Sequence, residues 1–355
     1  IDVLSYITHI NSMNANFALN ETFLDTAQLR SSVVSHAKLL GYTPRSISPS
    51  IAYINVKMNY DATETPLWNH DANNDPLPLT MERGTKFSTT IDSVTYPMFA
   101  SVTSTINFDS STGWNFLNIA IEQGTLTNIT YTYQNNVFEQ YLIPSTNVNT
   151  KSIKVTVIDS ASTSASKVYT LNTNVVNLDG LSEVFFLEEG RDGYYEVKFG
   201  DNIIGRRPGN GNTIKIEYAT ISSGTNVNGA TVFIMTDSLN GNADETITLV
   251  TKATGGAARE TKEAIKFNAP LSYVSQNRAV TPDDYKAIIK NEFADIEAVA
   301  VWGGEDHDVP DYGKVYISIK PLSAEVLTDV QKTTIKTNIL KPKNVVSITP
   351  VLVDP

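Results

Sequence analysis

Alternation of apolar and polar residues recurs between about residues 51 and 251 and predicts β-strands. In one segment Ile54, Val56 and Met58 alternate with Asn55 and Lys57, as expected for a strand with one face in the core and one in water. Further predicted strands lie at 114–122, 125–133 and 152–158. Glycine and proline residues separate these segments. The pattern therefore predicts a β-rich domain over residues 46–180 and a second β domain over residues 181–254.

A helical pattern precedes the strands. Asn20 is suited to cap the N-terminus of a helix, and the carboxylate of Glu21 would then lie at its positive end. Gly41 is suited to end the helix. We therefore predict a helix from about residue 20 to 40, within a helical segment over 1–45. Such an amphipathic helix either packs on its own domain or is offered to a partner chain, and the pattern leaves both possibilities open.

The last hundred residues combine helical and strand patterns. Thr281 is a favourable N-cap, Pro282 suits the first helical position, and two aspartates follow in the first turn. After this helix the pattern predicts strands at 298–302 and 314–319, a helix at 329–340 and a strand at 345–353. This order indicates a two-layer α/β module of the split βαβ type over residues 255–355. The fold class predicted for the whole chain is α+β with several domains.

Glycine is concentrated between residues 197 and 211. The residues that follow, Ile214, Ile216 and Tyr218, alternate with polar ones as in a half-buried strand. Glycine tolerates the positive φ angles of tight corners, which other residues adopt poorly. We therefore predict a strand, a glycine-rich turn and a second strand that form a hairpin within the 181–254 domain. The segment is interpreted as scaffold geometry, because it contains no catalytic pattern.

The composition and net charge of the chain argue against several classes of function. The chain has 27 basic and 38 acidic side chains among 355 residues, a net charge of -11, and no dense cluster of lysine and arginine. This balance argues against a nucleic-acid-binding surface, which needs basic side chains to displace counterions. There is no cysteine, so disulfides and cysteine-ligated metals are excluded. No apolar run predicts a membrane span, and the sequence begins with neither Met nor a signal-peptide pattern, so we expect a fragment of a longer protein made in the cytoplasm.

Three local patterns suggest chemistry, and each has a simpler explanation. Asp71, Asn73, Asp75 and Glu82 have the spacing of an EF-hand calcium loop, but Pro76 occupies the position that needs positive φ. The acidic loop 303–311 is rich in possible cation ligands, yet an acidic connection between strands is common.

The third pattern is the Ser-x-x-Lys spacing of Ser164 and Lys167. It lacks the two companion motifs of penicillin-recognising enzymes. The four histidines, at positions 9, 36, 70 and 307, are scattered, and His36 is interpreted as a packing residue. We predict no catalytic residue, no cofactor and no metal site, and therefore no enzyme.

Three separated blocks of the sequence carry a resemblance to a known family. The residues of these blocks are 20–27, 36–37, 40–44, 199–201, 205, 208–211, 224, 228–229, 255–256, 260, 269–270 and 278–285. In this order they resemble the baseplate J-like wedge subunits of contractile-tailed phages, and the overall texture is most similar to the wedge subunit of T-even phages. The residues to which the resemblance gives a structural role are Phe199, Gly200, Asp201, Gly205, Pro208, Gly209, Gly211, Arg278, Thr281, Asp284 and Tyr285.

The resemblance implies a structural subunit of the virion. Such a subunit would assemble in the host cytoplasm, self-associate as a dimer within a ring around the central hub, and change its packing when the sheath contracts. Its partners would be other wedge proteins and the sheath-initiating region, with no nucleic acid and no insertion into a membrane. We further predict that the module at 255–355 mediates contact between copies, and that Gly255 and Gly256 form its joint with the β domains.

A carbohydrate-binding or adhesive β module on a virion or cell surface is the alternative function. It would need an exposed platform of aromatic rings, for which Tyr131, Tyr133 and Tyr141 are the candidates. Tyrosines in strands are more often part of a core.

Overall fold

The α+β architecture predicted from the sequence is present in the computed structural model of the chain. The structure describes residues 2–58, 76–109, 113–135, 140–161, 165–172, 178–222, 227–239, 245–275, 278–293, 296–306, 309–321 and 325–355. The helices are α1 (Asp2–Asn20), α2 (Arg30–Leu39), α3 (Lys262–Ser275), α4 (Pro282–Glu292) and α5 (Asp329–Thr334), the last continuing as a π-helix over Ile335–Leu340. No helix in these ranges is both long and apolar enough to cross a membrane.

The described residues also contain eighteen strands. They are β1 (Ile51–Met58), β2 (Leu79–Met81), β3 (Lys86–Ile91), β4 (Val94–Ala100), β5 (Ser104–Ile106), β6 (Trp114–Gln123), β7 (Thr125–Thr132), β8 (Tyr141–Ile143), β9 (Val148–Ile158), β10 (Ser166–Leu171), β11 (Val184–Glu189), β12 (Tyr195–Phe199), β13 (Thr213–Thr220), β14 (Ile234–Met235), β15 (Glu245–Thr254), β16 (Ala298–Gly303), β17 (Lys314–Lys320) and β18 (Thr349–Val353). Strands β2 and β5 pair only with each other.

A six-stranded sheet in the order β14-β3-β4-β6-β1-β15 contains the first large core. Strand β1 pairs antiparallel with β6 and β15. The apolar positions that predicted it, Ile54, Val56 and Met58, are fully buried, so this strand and its buried face are confirmed. Trp114 and Phe116 of β6 pack into the same core.

A seven-stranded sheet in the order β7-β13-β9-β10-β11-β12-β8 contains the second core. Its neighbouring strands are antiparallel except β10 and β11, which are parallel. Strands from both predicted β domains, 46–180 and 181–254, take part in each of the two large sheets. The boundary between these domains stays a prediction.

The C-terminal module has one layer of strands and one of helices. Strand β17 pairs antiparallel with β16 and parallel with β18, and the crossover between β17 and β18 contains α5. The parallel strands are therefore direct neighbours, whereas a split arrangement would place a strand between them. Tyr285, Ile289, Ile317 and Ile335 are fully buried in the core between the layers.

The predicted helix over residues 20–40 is wrong in its first half. Asn20 is the last residue of α1, and α2 begins only at Arg30. The carboxylate of Glu21 accepts hydrogen bonds from the backbone N–H groups of Gln28 and Leu29, at 2.7 and 3.3 Å. Because these bonds satisfy donors at the start of α2, the chain between the two helices closes into a turn rather than a continuous helix.

The predicted glycine-rich hairpin is also wrong, although both of its strands are present. Strands β12 and β13 are separated in the sheet by β9, β10 and β11. Both edges of β12 are already occupied, by β11 and β8, so β13 has no free edge to pair with. Residues 200–212, called the glycine crossover below, therefore carry the chain from one side of the seven-stranded sheet to the other.

Candidate functional site

The glycine crossover starts with a very close approach of two backbone segments. A Cβ atom on Gly200 would lie 2.2 Å from the carbonyl oxygen of Gly205, and Gly205 itself has φ +84°. The N–H groups of Gly205 and Arg206 donate to the carbonyl oxygens of Asp179 and Ser182, at 2.9 and 2.8 Å. These bonds tie the crossover to the turn that leads into β11. Glycine is required at position 200 for space and at position 205 for its conformation.

Asp201 and Asn202 use their side chains to hold the backbone of the same turn. Asp201 Oδ1 accepts from the N–H groups of Ile203 and Ile204, each at 2.9 Å. The N–H of Ile204, followed by that of Ile203, lowers the pKa of the Asp201 carboxyl, since both bonds favour its ionised form. Asn202 Oδ1 accepts from the N–H of Arg207 at 2.8 Å. The polar groups of the motif therefore act on local backbone.

The ends of the crossover are anchored in the sheet. Phe199 packs edge-on against Tyr141 and Tyr169, with ring centroids 5.6 and 5.4 Å apart. At the other end Gly211 has φ +83° and donates its N–H to the carbonyl of Tyr133 at 2.7 Å. Pro208 is buried between these ends, and the Gly209 carbonyl accepts from the N–H of Asn212 at 3.0 Å.

The start of α4 contains the other predicted structural residues. Thr281 and Asp284 form a reciprocal capping box, in which Thr281 Oγ1 accepts from the N–H of Asp284 at 3.3 Å and Asp284 Oδ2 from that of Thr281 at 2.8 Å. Tyr285 is fully buried and its hydroxyl donates to the side-chain oxygen of Asn344. Arg278 is exposed. The motif residues therefore occupy two separate places, the crossover and this helix start, and their structural role stays a proposal.

A buried charge cluster that the sequence did not reveal connects the helices to the seven-stranded sheet. The Glu189 side chain, only 3% exposed, lies between two arginines: its Oε1 is 3.0 Å from Arg30 Nε and 2.6 Å from Arg259 Nη2. Arg30 Nη1 also donates to the carbonyl of Glu260, and Arg259 Nη2 donates to that of Gly193 at 3.0 Å. We call Arg30, Glu189, Arg259, Glu260 and Tyr42 the helix junction.

Glu260 is the second carboxylate of the helix junction and is 6% exposed. It accepts from the Tyr42 hydroxyl at 2.8 Å, from the Arg45 backbone N–H at 2.9 Å and from Asn268 Nδ2 at 2.7 Å. Burial, and then the adjacent Glu260 carboxylate, raise the pKa of Tyr42 far above its usual range, so its hydroxyl keeps the proton that it donates. The junction thus joins α2, α3 and the end of β11 through buried ion pairs and hydrogen bonds, and Arg259 Nε is its one buried polar side-chain atom without a hydrogen-bond partner in the described residues.

Two further contacts connect the sheets and the C-terminal module. Arg83, beside the six-stranded sheet, forms an ion pair with Glu217 of β13 and donates to the carbonyl of Ser152 in β9 at 2.7 Å. Lys151 of β9 and Lys343 both lie near the Glu292 carboxylate at the end of α4, at 3.7 and 3.1 Å.

The predicted joint at Gly255 and Gly256 is held by hydrogen bonds. Asn228 donates its Nδ2 to the Gly256 carbonyl at 2.8 Å and accepts from the Gly256 N–H at 2.9 Å. The following residue, Ala257, exchanges two backbone hydrogen bonds with Ser48. The segment is therefore a fixed connection between the β sheets and α3.

The residues considered for metal or catalytic chemistry do not come together in the described part of the chain. No three histidine, aspartate or glutamate side chains there are grouped closely enough to hold a metal ion. In the acidic loop, Asp311 accepts from Lys314 Nζ and the Tyr316 hydroxyl, at 2.9 and 2.7 Å. His36 Nε2 contacts the Glu21 carbonyl at 2.8 Å, as expected for a packing histidine. Asp71, Asn73, Asp75, Ser164, His70 and His307 lie outside the described residues.

The three tyrosines proposed as a sugar-binding platform belong to the core of the seven-stranded sheet. Tyr133 and Tyr141 are 8% and 3% exposed, and their rings stack with centroids 6.2 Å apart. Tyr131 is partly buried against the same core. The aromatic platform that the adhesin alternative requires is therefore not formed by these residues.

Residues 281–353, which begin at the capping residue of α4 and end with β18, match the family described as baseplate structural protein gp6, C-terminal domain I. The whole chain also aligns with the baseplate wedge protein gp6 of Enterobacteria phage T4, with 29% identity over 379 aligned positions. The resemblance to baseplate wedge proteins is confirmed.

The T4 wedge protein is longer than this chain. The alignment with the T4 wedge protein covers 100% of this chain but 54% of the relative, so the chain spans about half of the relative's length. A solved baseplate of the anti-feeding prophage is also similar, with 11% identity, and the match covers 99% of this chain and 66% of that chain. Its TM-score of 0.33 is too low to establish a shared fold.

Proposed function

We propose that this chain is a structural, non-catalytic part of a phage tail baseplate wedge and is located in the virion. The observation that carries the proposal is the alignment of all of its residues with the T4 baseplate wedge protein. The match of residues 281–353 to a baseplate structural family agrees with it. The motif residues agree with a structural role, because the crossover and the start of α4 use their polar groups to fix backbone.

The connections between the parts of the chain suit a subunit that moves as a rigid body. The helix junction, the Arg83–Glu217 pair and the contacts of Glu292 join helices, both large sheets and the C-terminal module through charged side chains. Closely packed units with such connections respond to force by shifting against their neighbours rather than by deforming. We therefore propose that a change of packing on sheath contraction occurs at interfaces between chains.

We propose that copies of the chain associate through the C-terminal module. Three of its large apolar side chains are strongly exposed: Val309 (82%), Tyr312 (78%) and Val346 (fully). The N–H of Thr349 donates to the carbonyl of Gly313 at 2.8 Å, which brings the segments of Tyr312 and Val346 to the same edge of the module. Exposed apolar side chains on one edge of a module favour burial against another chain. Residues Tyr312 and Val346 are called the edge patch.

Charge introduced in the edge patch is expected to separate the copies. We expect Val346→Glu and Tyr312→Glu each to raise the dissociation constant of a dimer at least about tenfold, because burying an unpaired carboxylate opposes association. Light scattering behind a sizing column measures this, with the thermal unfolding midpoint as a check of folding. Leu117→Glu is the matched control, since Leu117 is 63% exposed on β6 of the six-stranded sheet. A dimer unaffected by both patch variants would exclude this interface.

Contacts with other wedge proteins and with the sheath-initiating region are part of the proposal. Helix α1 supports them, because none of its described residues is buried and Val3, Leu4 and Tyr6 are 73%, 71% and 67% exposed.

A further inference from the structure

The glycine crossover borders a half-open cavity. The backbone contacts made by the crossover residues do not explain why this cavity is there. The cavity has a volume of about 640 Å³ and lies between the crossover and the strands β9 and β10. The charged side chains that line it are Asp159, Lys167, Arg206 and Arg207, and the lining also includes Asn202 and Asn212. A volume of this size accommodates a small ligand or a short piece of polypeptide.

The lining is positively charged, in a chain whose net charge is -11. It contains three cations, Lys167, Arg206 and Arg207, and one carboxylate, Asp159. Glu183, which is not part of the lining, neutralises part of this charge: its Oε1 is 2.5 Å from Lys167 Nζ and 3.5 Å from Arg206 Nη1. The Asp201 carboxylate, whose pKa is lowered by the N–H groups of Ile204 and Ile203 and then by Arg207, is a further anion nearby, so these six groups are neutral overall.

Arg207 is the most available of the three cations. It forms no salt bridge with any carboxylate in the described residues, and its Nη1 donates only a long hydrogen bond, 3.4 Å, to Asn135 Oδ1. Its backbone is nevertheless fixed, because its N–H donates to Asn202 Oδ1 at 2.8 Å. A guanidinium on a fixed backbone that is in salt-bridge contact with no described carboxylate is suited to bind one from another molecule, through two parallel hydrogen bonds.

Amide groups complete a set of hydrogen-bond donors around the cavity. Asn202 and Asn212 already use their side-chain oxygens as acceptors, from the N–H groups of Arg207 and Ser160 at 2.8 and 3.1 Å. Their NH₂ groups therefore remain as donors. Guanidinium, ammonium and amide donors together select a ligand that supplies acceptors, as a carboxylate and the adjacent peptide carbonyl groups do.

We propose that this cavity binds an acidic side chain presented by a segment of a neighbouring polypeptide, with Arg207 as its main contact and Lys167 in support. A long polyanion such as nucleic acid is disfavoured, because the three cations are confined to the cavity and the chain as a whole, with its net charge of -11, repels it. A free small carboxylate shares the chemistry of the side chain, but it would leave most of the 640 Å³ to water. The inference does not depend on the proposed wedge function, because any chain with an exposed acidic segment satisfies it.

Titration of the intact chain with short peptides tests the proposal. Calorimetry at low salt would use the acetylated and amidated peptide Gly-Asp-Glu-Asp-Gly, its neutral counterpart Gly-Asn-Gln-Asn-Gly, and citrate as a free carboxylate. We expect binding of the acidic peptide, none of the neutral one, and weakening as salt is raised. Arg207→Gln is expected to weaken binding about tenfold and Lys167→Gln several-fold.

The control variant is Lys341→Gln, which removes an exposed charge from the C-terminal module and should leave binding unchanged. Arg207 and Lys167 are exposed or half-exposed, and unchanged unfolding midpoints of both variants would show that they remain folded. Absence of peptide binding by the unmodified chain, or binding that neither variant changes, would overturn the proposal. Binding of citrate without binding of the acidic peptide would reassign the cavity to small anions and overturn it as well.

Discussion

Replacing Glu189 by glutamine is expected to lower the free energy of unfolding by about 3 kcal/mol. The Glu189 side chain is 3% exposed and is the carboxylate shared by Arg30 and Arg259, whose side chains are 24% and 20% exposed. Glutamine has nearly the same size, so the substitution removes the charge and leaves the shape. Two partly buried guanidinium groups would then face each other without the anion that compensates them, which is the costly way to break a buried ion pair.

Denaturant-induced unfolding of the variant and the unmodified chain measures this difference. Glu297→Gln is the matched control, because Glu297 pairs with Lys320 at 2.8 Å and both side chains are about half exposed. Loss of that exposed pair is expected to cost less than about 1 kcal/mol. A Glu189 variant as stable as the control would mean that the helix junction contributes little to holding α2 and α3 on the sheet.

Replacing Gly200 by alanine is expected to cost about 3 kcal/mol, because the new methyl group has no room. Its carbon would lie 2.2 Å from the Gly205 carbonyl oxygen and 2.3 Å from that of Ile204. Both obstacles are backbone atoms, so no side-chain rotation relieves the overlap. Either the turn opens or the anchoring bonds from Gly205 and Arg206 to the turn before β11 are lost.

Gly190→Ala separates this steric effect from the general effect of removing a glycine. A Cβ atom at Gly190 would meet its nearest neighbour, the Tyr194 carbonyl oxygen, at 3.7 Å, which is ordinary contact. The control is therefore expected to change stability by less than about 1 kcal/mol. Thermal or denaturant unfolding compares the two, and equal stability of both variants would contradict the close approach at Gly200.

The features that the sequence predicted correctly are those encoded by neighbouring residues. Thr281, Pro282 and Asp284 lie within four positions, and the capping box and helix α4 follow from the local chemistry of those side chains. The alternation of Ile54, Val56 and Met58 likewise predicts the buried face of β1. Such patterns involve only one or two helical turns, or a few consecutive residues of a strand.

The features that the sequence did not predict depend on residues far apart in the chain. Arg30 and Glu189 are 159 positions apart, so no local pattern indicates that they form an ion pair. The hairpin was inferred because β12 and β13 are consecutive, but strand neighbours are decided by which edges of the sheet are free. The break between α1 and α2 was missed because Asn20 and Glu21 suit a helix start as well as the turn that they form.

The mass of the chain in solution is the measurement that tests the assembly proposal most directly. Light scattering behind a sizing column, over a wide range of concentration, determines it without a label. The proposal predicts a discrete dimer, about twice 38.9 kDa, that persists on dilution and that Val346→Glu disrupts. A mass of 38.9 kDa at every concentration would contradict it, because no contact between copies would then lie within these 355 residues.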